Sequence, residues 1–167
     1  MSIDWAVVAE DPPPRDMADR VCRLEDKAAM NEAINRWMPL IDHRRWSDLP
    51  ACFDARVHVD YTALRPQPPA GWFEADKMIA GWKARYDGVV AYQHHIGNFL
   101  SAIDRDIARC SGSNVTTHER PSADGSGAEL WHVGVYHRWQ LARIEGRWLI
   151  THIAASRVWD RIDRIRT

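Results

Sequence analysis

Apolar residues recur at steps of three and four between residues 17 and 44: Val21, Leu24, Ala28, Ile34, Trp37, Met38 and Ile41, with a slip near Met30. That spacing predicts one face of a long helix. Asp16 or Asp19 is placed to cap its start, and Pro39 predicts a kink or a break into two helices. Upstream, Pro12, Pro13 and Pro14 prevent helix formation, so residues 1–16 read as an extended arm. A short helix is expected over 47–53, with Ser47 as its cap. Val57-His58-Val59-Asp60-Tyr61 alternates and is rich in β-formers, which predicts a strand. Residues 64–71 form a proline-rich loop, and 74–86 a helix with Met78, Ile79 and Trp82 on its apolar face.

After Gly88 the pattern changes to long strands. Residues 95–103 and 107–119 flank Asp104-Arg105-Asp106, a hairpin turn. Residues 122–127 form a second loop. Residues 130–144 and 147–158 flank Glu145-Gly146, a two-residue turn in which glycine supplies a positive φ. Helices segregated from an antiparallel meander define an α+β class. The expected architecture is a cone, or α+β barrel: a curved mixed or antiparallel sheet wrapped around the long N-terminal helix, one domain over 17–167. A pocket lies between sheet and helix. The strand period of two puts His94, Ile96 and Asn98 on one face and Thr116, His118 and Arg120 together on the next strand.

Composition adds exclusions. A chain of 167 residues with a formal net charge of −1 has no basic surplus to draw it to nucleic acid or an anionic membrane. Residues 1–16 lack the apolar run of a signal peptide, and no later stretch is long and apolar enough to span a bilayer. Cys22, Cys52 and Cys110 are odd in number and widely spaced, which suits a reducing cytoplasm rather than a disulfide framework. The excess lies in nine tryptophans and eight histidines. Tryptophans such as Trp131 either fill a core or line an apolar cavity, whereas clustered histidines point to proton transfer or metal binding.

Four residues carry candidate chemistry. Asp42 follows the apolar stripe of the long helix and faces either the pocket or solvent. His94 opens a strand. A neutral imidazole beside a carboxylate is a competent base, because the carboxylate fixes its tautomer and stabilises the imidazolium. His118 is a second acid or an edge-strand histidine. Tyr61 polarises a carbonyl or simply packs. His94, His118 and Asp42 would also make a two-histidine, one-carboxylate metal set. Without His-Glu-x-x-His or Cys-x-x-Cys, however, no metal is expected, and no glycine-rich nucleotide loop or Gly-x-Ser-x-Gly elbow occurs.

The segments Ile41-Asp42-His43-Arg44-Arg45-Trp46, Val57-His58-Val59-Asp60-Tyr61 and Tyr92-Gln93-His94-His95-Ile96-Gly97-Asn98 resemble the SnoaL-like branch of the nuclear-transport-factor-2-like superfamily. Gly146-Arg147-Trp148 and Ser156-Arg157-Val158-Trp159 extend the likeness over residues 22–159. Within the branch the pattern is similar to scytalone dehydratase. The resemblance implies Asp42, His94, His118 and Tyr61 as catalytic, with His94 rather than His95 as the base. It departs where the family's substrate-binding tyrosine, serine and asparagine become Ile41, Val135 and His137, which argues against scytalone itself. With Asn98 and Trp131, these are the expected substrate-binding positions.

The function implied is a cofactor-independent lyase, a dehydratase of a small cyclic or polycyclic β-hydroxy ketone acting through an enolate. Isomerisation or polyketide cyclisation by the same pair is the alternative, and a non-catalytic ligand-binding cone is the alternative of another class. Both faces of residues 130–144 carry large side chains, which predicts a homo-oligomer. The resemblance implies a trimer or a dimer.

Overall fold

The computed structural model describes residues 11, 13–65, 69–125 and 127–166; of the arm, only 11 and 13–16 fall within that set. The Asp16 carboxylate accepts the Asp19 N–H at 2.8 Å and starts helix α1, Met17–Asp42. The helix runs through Pro39 without the expected break, and Pro39 O accepts the His43 N–H that closes it. Burial of Trp37, Met38 and Ile41 on either side holds the turn that lacks the proline's hydrogen bond. The expected apolar face is half right. Val21 and Leu24 are 46% and 61% exposed, and burial begins only at Met30, continuing through Ile34 and Trp37 to Ile41. No residue of α1 before Met30 is buried.

The expected short helix is a single 3-10 turn, Leu49–Cys52, preceded by Asp48 rather than capped by Ser47. Strand β1, Phe53–Asp60, then pairs with β2, Gly71–Glu74, in an antiparallel ladder that sets Val57 opposite Phe73. At four residues, β2 is too short to show an alternation in sequence. Helix α2 spans Ala75–Arg85 and buries Met78, Ile79 and Trp82 as its pattern predicts.

Four long strands follow: β3 Ala91–Asp104, β4 Ile107–Pro121, β5 Gly127–Ile144 and β6 Arg147–Arg166. Arg105 turns the first hairpin at φ 53°, and Glu145-Gly146 turns the last at φ 49° and 76°, the positive pair a tight two-residue turn requires. The sheet order is β2-β1-β6-β5-β4-β3, mixed because β1 runs parallel to β6. The sheet does not close, and β3 is left as an edge, with α1 along it. Gly134 sits at a bulge between β5 and β6, where a Cβ would lie 2.2 Å from Trp159 Nε1, so only glycine lets that indole lie across β5. Among the described residues no helix is long and apolar enough to cross a membrane.

The core lies between α1, α2 and the concave face. Trp37 is its centre, with ring centroids 5.7 Å from Phe53, 5.3 Å from Trp82 and 6.2 Å from His137. Trp37→Ala is therefore expected to cost about 3–5 kcal/mol. Leu24→Ala on the same helix should stay within about 0.5 kcal/mol. Urea unfolding of both variants tests this, and a large loss in Leu24→Ala would contradict the half-buried helix.

Candidate active site

Asp42 is the last residue of α1, and the chain leaves the helix sharply because Arg44 takes φ 56°. The Arg44 guanidinium donates to Val89 O at 2.7 Å and Val90 O at 3.3 Å, which ties the helix end to the start of β3. As an edge strand, β3 has outward N–H groups that no neighbouring strand can accept. Asp42 takes one of them: His94 N–H donates to Oδ2 at 3.0 Å. Its other oxygen, Oδ1, lies 2.5 Å from His94 Nδ1. Asp11 does the same for Ile103 N–H at 2.8 Å near the far end of β3, and the offset in outward positions follows from a bulge between Gly97 and Leu100.

The pair is secluded, with side-chain exposures of 5% for His94 and 15% for Asp42. The carboxylate can only accept, so His94 Nδ1–H donates to it; in the neutral imidazole Nε2 is then a lone pair, to which the Tyr86 hydroxyl, 3.1 Å away, can donate. Tyr86 follows the last turn of α2 as its cap. Its ring stacks on His118 at 5.5 Å and 12°. His94, Tyr86 and His118 thus form one contiguous group.

That group borders a cavity of about 110 Å³. Alternate residues of β4 (Asn114, Thr116, His118) and β5 (Trp131, Val133, Val135, His137) form one wall, as the strand period requires. Trp37, Met38 and Ile41 of α1 form another, and Tyr61, Arg65, Trp82 and Arg157 complete it. His118 is buried with Nδ1 unpartnered, and burial followed by the nearby His94 pushes its pKa down to about 3. His137, stacked on Trp139 at 5.2 Å and beside Asn114, is likewise pushed down to about 3, first by burial. Both imidazoles are therefore neutral at physiological pH. Burial also raises the Tyr61 and Tyr86 phenols above their ordinary value, keeping them protonated donors.

Of the residues singled out in the sequence, Asp42 pairs with His94, and His94, His118, Tyr61, Ile41, Val135, His137 and Trp131 all line this one cavity. Asn98 does not. It forms the β3 bulge at φ 56° and is exposed, so the alternation that groups it with His94 fails one residue earlier. Among the described residues no three His, Cys, Asp or Glu side chains converge in metal-binding geometry; Asp42 and His94 are turned to each other instead of to a shared point. Tyr86, Asn114 and Arg65 escape the sequence reading. Tyr86 sits at a helix end where periodicity says nothing about direction, whereas Asn114 shares the face of Thr116 and His118 and was within reach of the same alternation.

No curated protein matches the chain. Solved structures do, at low identity. A protein from Kribbella flavida superposes with a TM-score of 0.76 at 19% identity, over 83% of this chain and 95% of that one. A scytalone dehydratase-like protein from Novosphingobium aromaticivorans gives 0.70 at 12% identity, covering 89% and 94%. A hexachlorocyclohexane dehydrochlorinase from Novosphingobium barchaimii gives 0.71 at 12% identity, covering 89% and 97%. These likenesses establish the fold. The model of the SnoaL-like domain matches residues 22–154, most of the chain, so the protein belongs to the SnoaL-like domain family.

Proposed function

We propose that this protein is an acid–base lyase that needs no cofactor and eliminates water from a small cyclic β-hydroxy ketone. The observation that carries the reading is the buried Asp42–His94 pair, 2.5 Å apart, with His94 Nε2 on the cavity side. Two structural neighbours, a scytalone dehydratase-like protein and a dehydrochlorinase, are by name enzymes of elimination, which supports it. The same pair would serve isomerisation or cyclisation; water loss is favoured by the likeness of the site residues to the dehydratase pattern.

In this reading the substrate displaces the Tyr86 hydroxyl from His94 Nε2, and that nitrogen takes the proton α to the carbonyl. The electron pair moves onto the carbonyl oxygen as an enolate. Tyr61, Tyr86 and the Nε2–H of neutral His118 are donors suited to that oxygen. The enolate then collapses, the C–O bond at the β carbon breaks, and the His94 imidazolium, stabilised by Asp42, returns its proton to the leaving hydroxide as water. His118 was expected as the second acid. Its pKa, pushed down to about 3, supports the role of a neutral hydrogen-bond donor in place of that acid, comparable in kind to a neutral histidine electrophile. The cavity is well below the roughly 300–1,000 Å³ of common ligand sites, which favours a single ring over a polycyclic substrate. Apolar residues left exposed along β6, including Val158 at 68% and Ile162 at 54%, support self-association of the chain.

A panel of cyclic β-hydroxy ketones, followed by the absorbance of the conjugated enone, tests the reaction. On a substrate the wild type turns over, His94→Ala and Asp42→Asn are each expected to lower kcat roughly 100- to 10,000-fold. Full activity in either variant would sink the mechanism. The neutral histidines also make a stability prediction. Their folded-state values lie below the unfolded value of about 6.5, so the stability tied to them is present above that pH and is lost as pH falls towards about 3. By about pH 5 each removes on the order of 2 kcal/mol. The urea midpoint should fall between neutral pH and about pH 5, less steeply in His137→Gln; an unchanged slope would mean His137 is not buried neutral.

A further inference from the structure

Arg65 is an odd residue for the wall of an apolar cavity. Its side chain is half-buried, its Nε has no hydrogen-bond partner, and among the described residues it has no carboxylate within ion-pair distance. The charge nearest in effect is another cation: burial, then Arg85, lowers its pKa. Asp42, the carboxylate of the site, is already bonded through both oxygens to His94. An uncompensated cation in a desolvated wall is costly.

The loop is nonetheless built to keep it there. Leu64 N–H and Arg65 N–H both donate to Tyr61 O, at 2.9 and 2.8 Å. From β6, Arg157 N–H reaches Ala63 O at 3.3 Å, and its guanidinium donates to Leu64 O at 2.6 Å. The Arg65 guanidinium stands over the Tyr61 ring, 5.8 Å from its centroid. Arg85 and Arg157 line the same cavity. Arg120, whose Nε is also buried without a partner, adds positive charge beside His118 and Trp131.

We infer that Arg65 receives a carboxylate of the substrate, so that the compound processed at His94 is a small cyclic ketone that also carries an acid group rather than a neutral one. The inference rests on the acid–base reading of the same cavity. A guanidinium presents its donors as a planar fork that matches a carboxylate in two parallel hydrogen bonds. Arg157 is committed to Leu64 O, so the Arg65 fork offers two parallel donors in one plane, which suit a planar carboxylate better than a tetrahedral phosphate, whose third oxygen lies outside that plane. The carboxylate would also orient the ring. Anchored at Arg65, the ring has a defined face towards His94, and binding energy from a group remote from the reacting carbon is available for positioning.

Titration calorimetry of the full chain with benzoate, benzamide and phenyl phosphate tests this without knowledge of the natural substrate. Benzoate should bind saturably and at least about tenfold more tightly than neutral benzamide, the scale of a charge-assisted hydrogen bond. Arg65→Gln should remove that preference and leave benzamide binding as it was, and Arg65→Lys, which keeps the charge without the fork, should retain part of it. No benzoate preference in the wild type, or a preference that survives Arg65→Gln, overturns the proposal. Tighter binding of phenyl phosphate than of benzoate overturns the carboxylate assignment in favour of a phosphate. Because binding is read without turnover, the two failures separate. Lost benzoate preference with His94-dependent activity removes only the anion site, whereas Arg65-dependent binding with activity that persists in His94→Ala removes only the dyad.

Discussion

The contact on which the site depends is that between one carboxylate and one edge-strand histidine. Asp42 uses both oxygens on His94, one on its backbone N–H and one on its ring. The backbone bond fills a gap left by the sheet edge, and the ring bond sets the tautomer. A structural demand, capping an edge strand, and a chemical one, orienting an imidazole, are thus met by one side chain. The position is otherwise unfavourable: a carboxylate at a helix C-terminus opposes the macrodipole, at a cost of about 0.3–1 kcal/mol, and the last turn carries no basic residue. The bonds to His94 and the Arg44 tie to β3 offset that cost.

Around this contact the cavity wall keeps its polar groups neutral. Burial lowers the pKa of His118 and His137 and raises those of Tyr61 and Tyr86, so four potential ions become uncharged hydrogen-bonding groups. The charge that remains is concentrated in the Asp42–His94 pair and in the arginines on the wall. In a space shielded from water, those charges act over a longer effective range than they would at the surface. In the proposed reaction, proton transfer and anion recognition would thereby fall to different residues.

Much of this was legible in residue order. The β4 and β5 faces follow from the strand period, which groups Thr116 with His118 and extends to Asn114. The Glu145-Gly146 turn announces itself because few residues accept its positive φ. Asp42 and His94 were each visible as candidates. Asn98 failed because a bulge inserts one residue and reverses the alternation, and bulges leave a weak mark in a single sequence. The exposed first half of α1 failed because periodicity reports which face is apolar and not how far the partner surface extends.

The sequence by itself therefore determined the long elements, their class and the facing of side chains along β4 and β5, since those depend on local geometry and spacing, but not the four-residue β2 or the bulge in β3. Only the tertiary structure decided which side chains meet. Asp42 and His94 are 52 residues apart, and their contact depends on how α1 lies along β3. Tyr86 reaches His94 because α2 ends above the same strand. Arg65 faces the cavity because Arg157 holds its loop from β6. Such meetings are set by packing between distant elements, and no period within a single element encodes them.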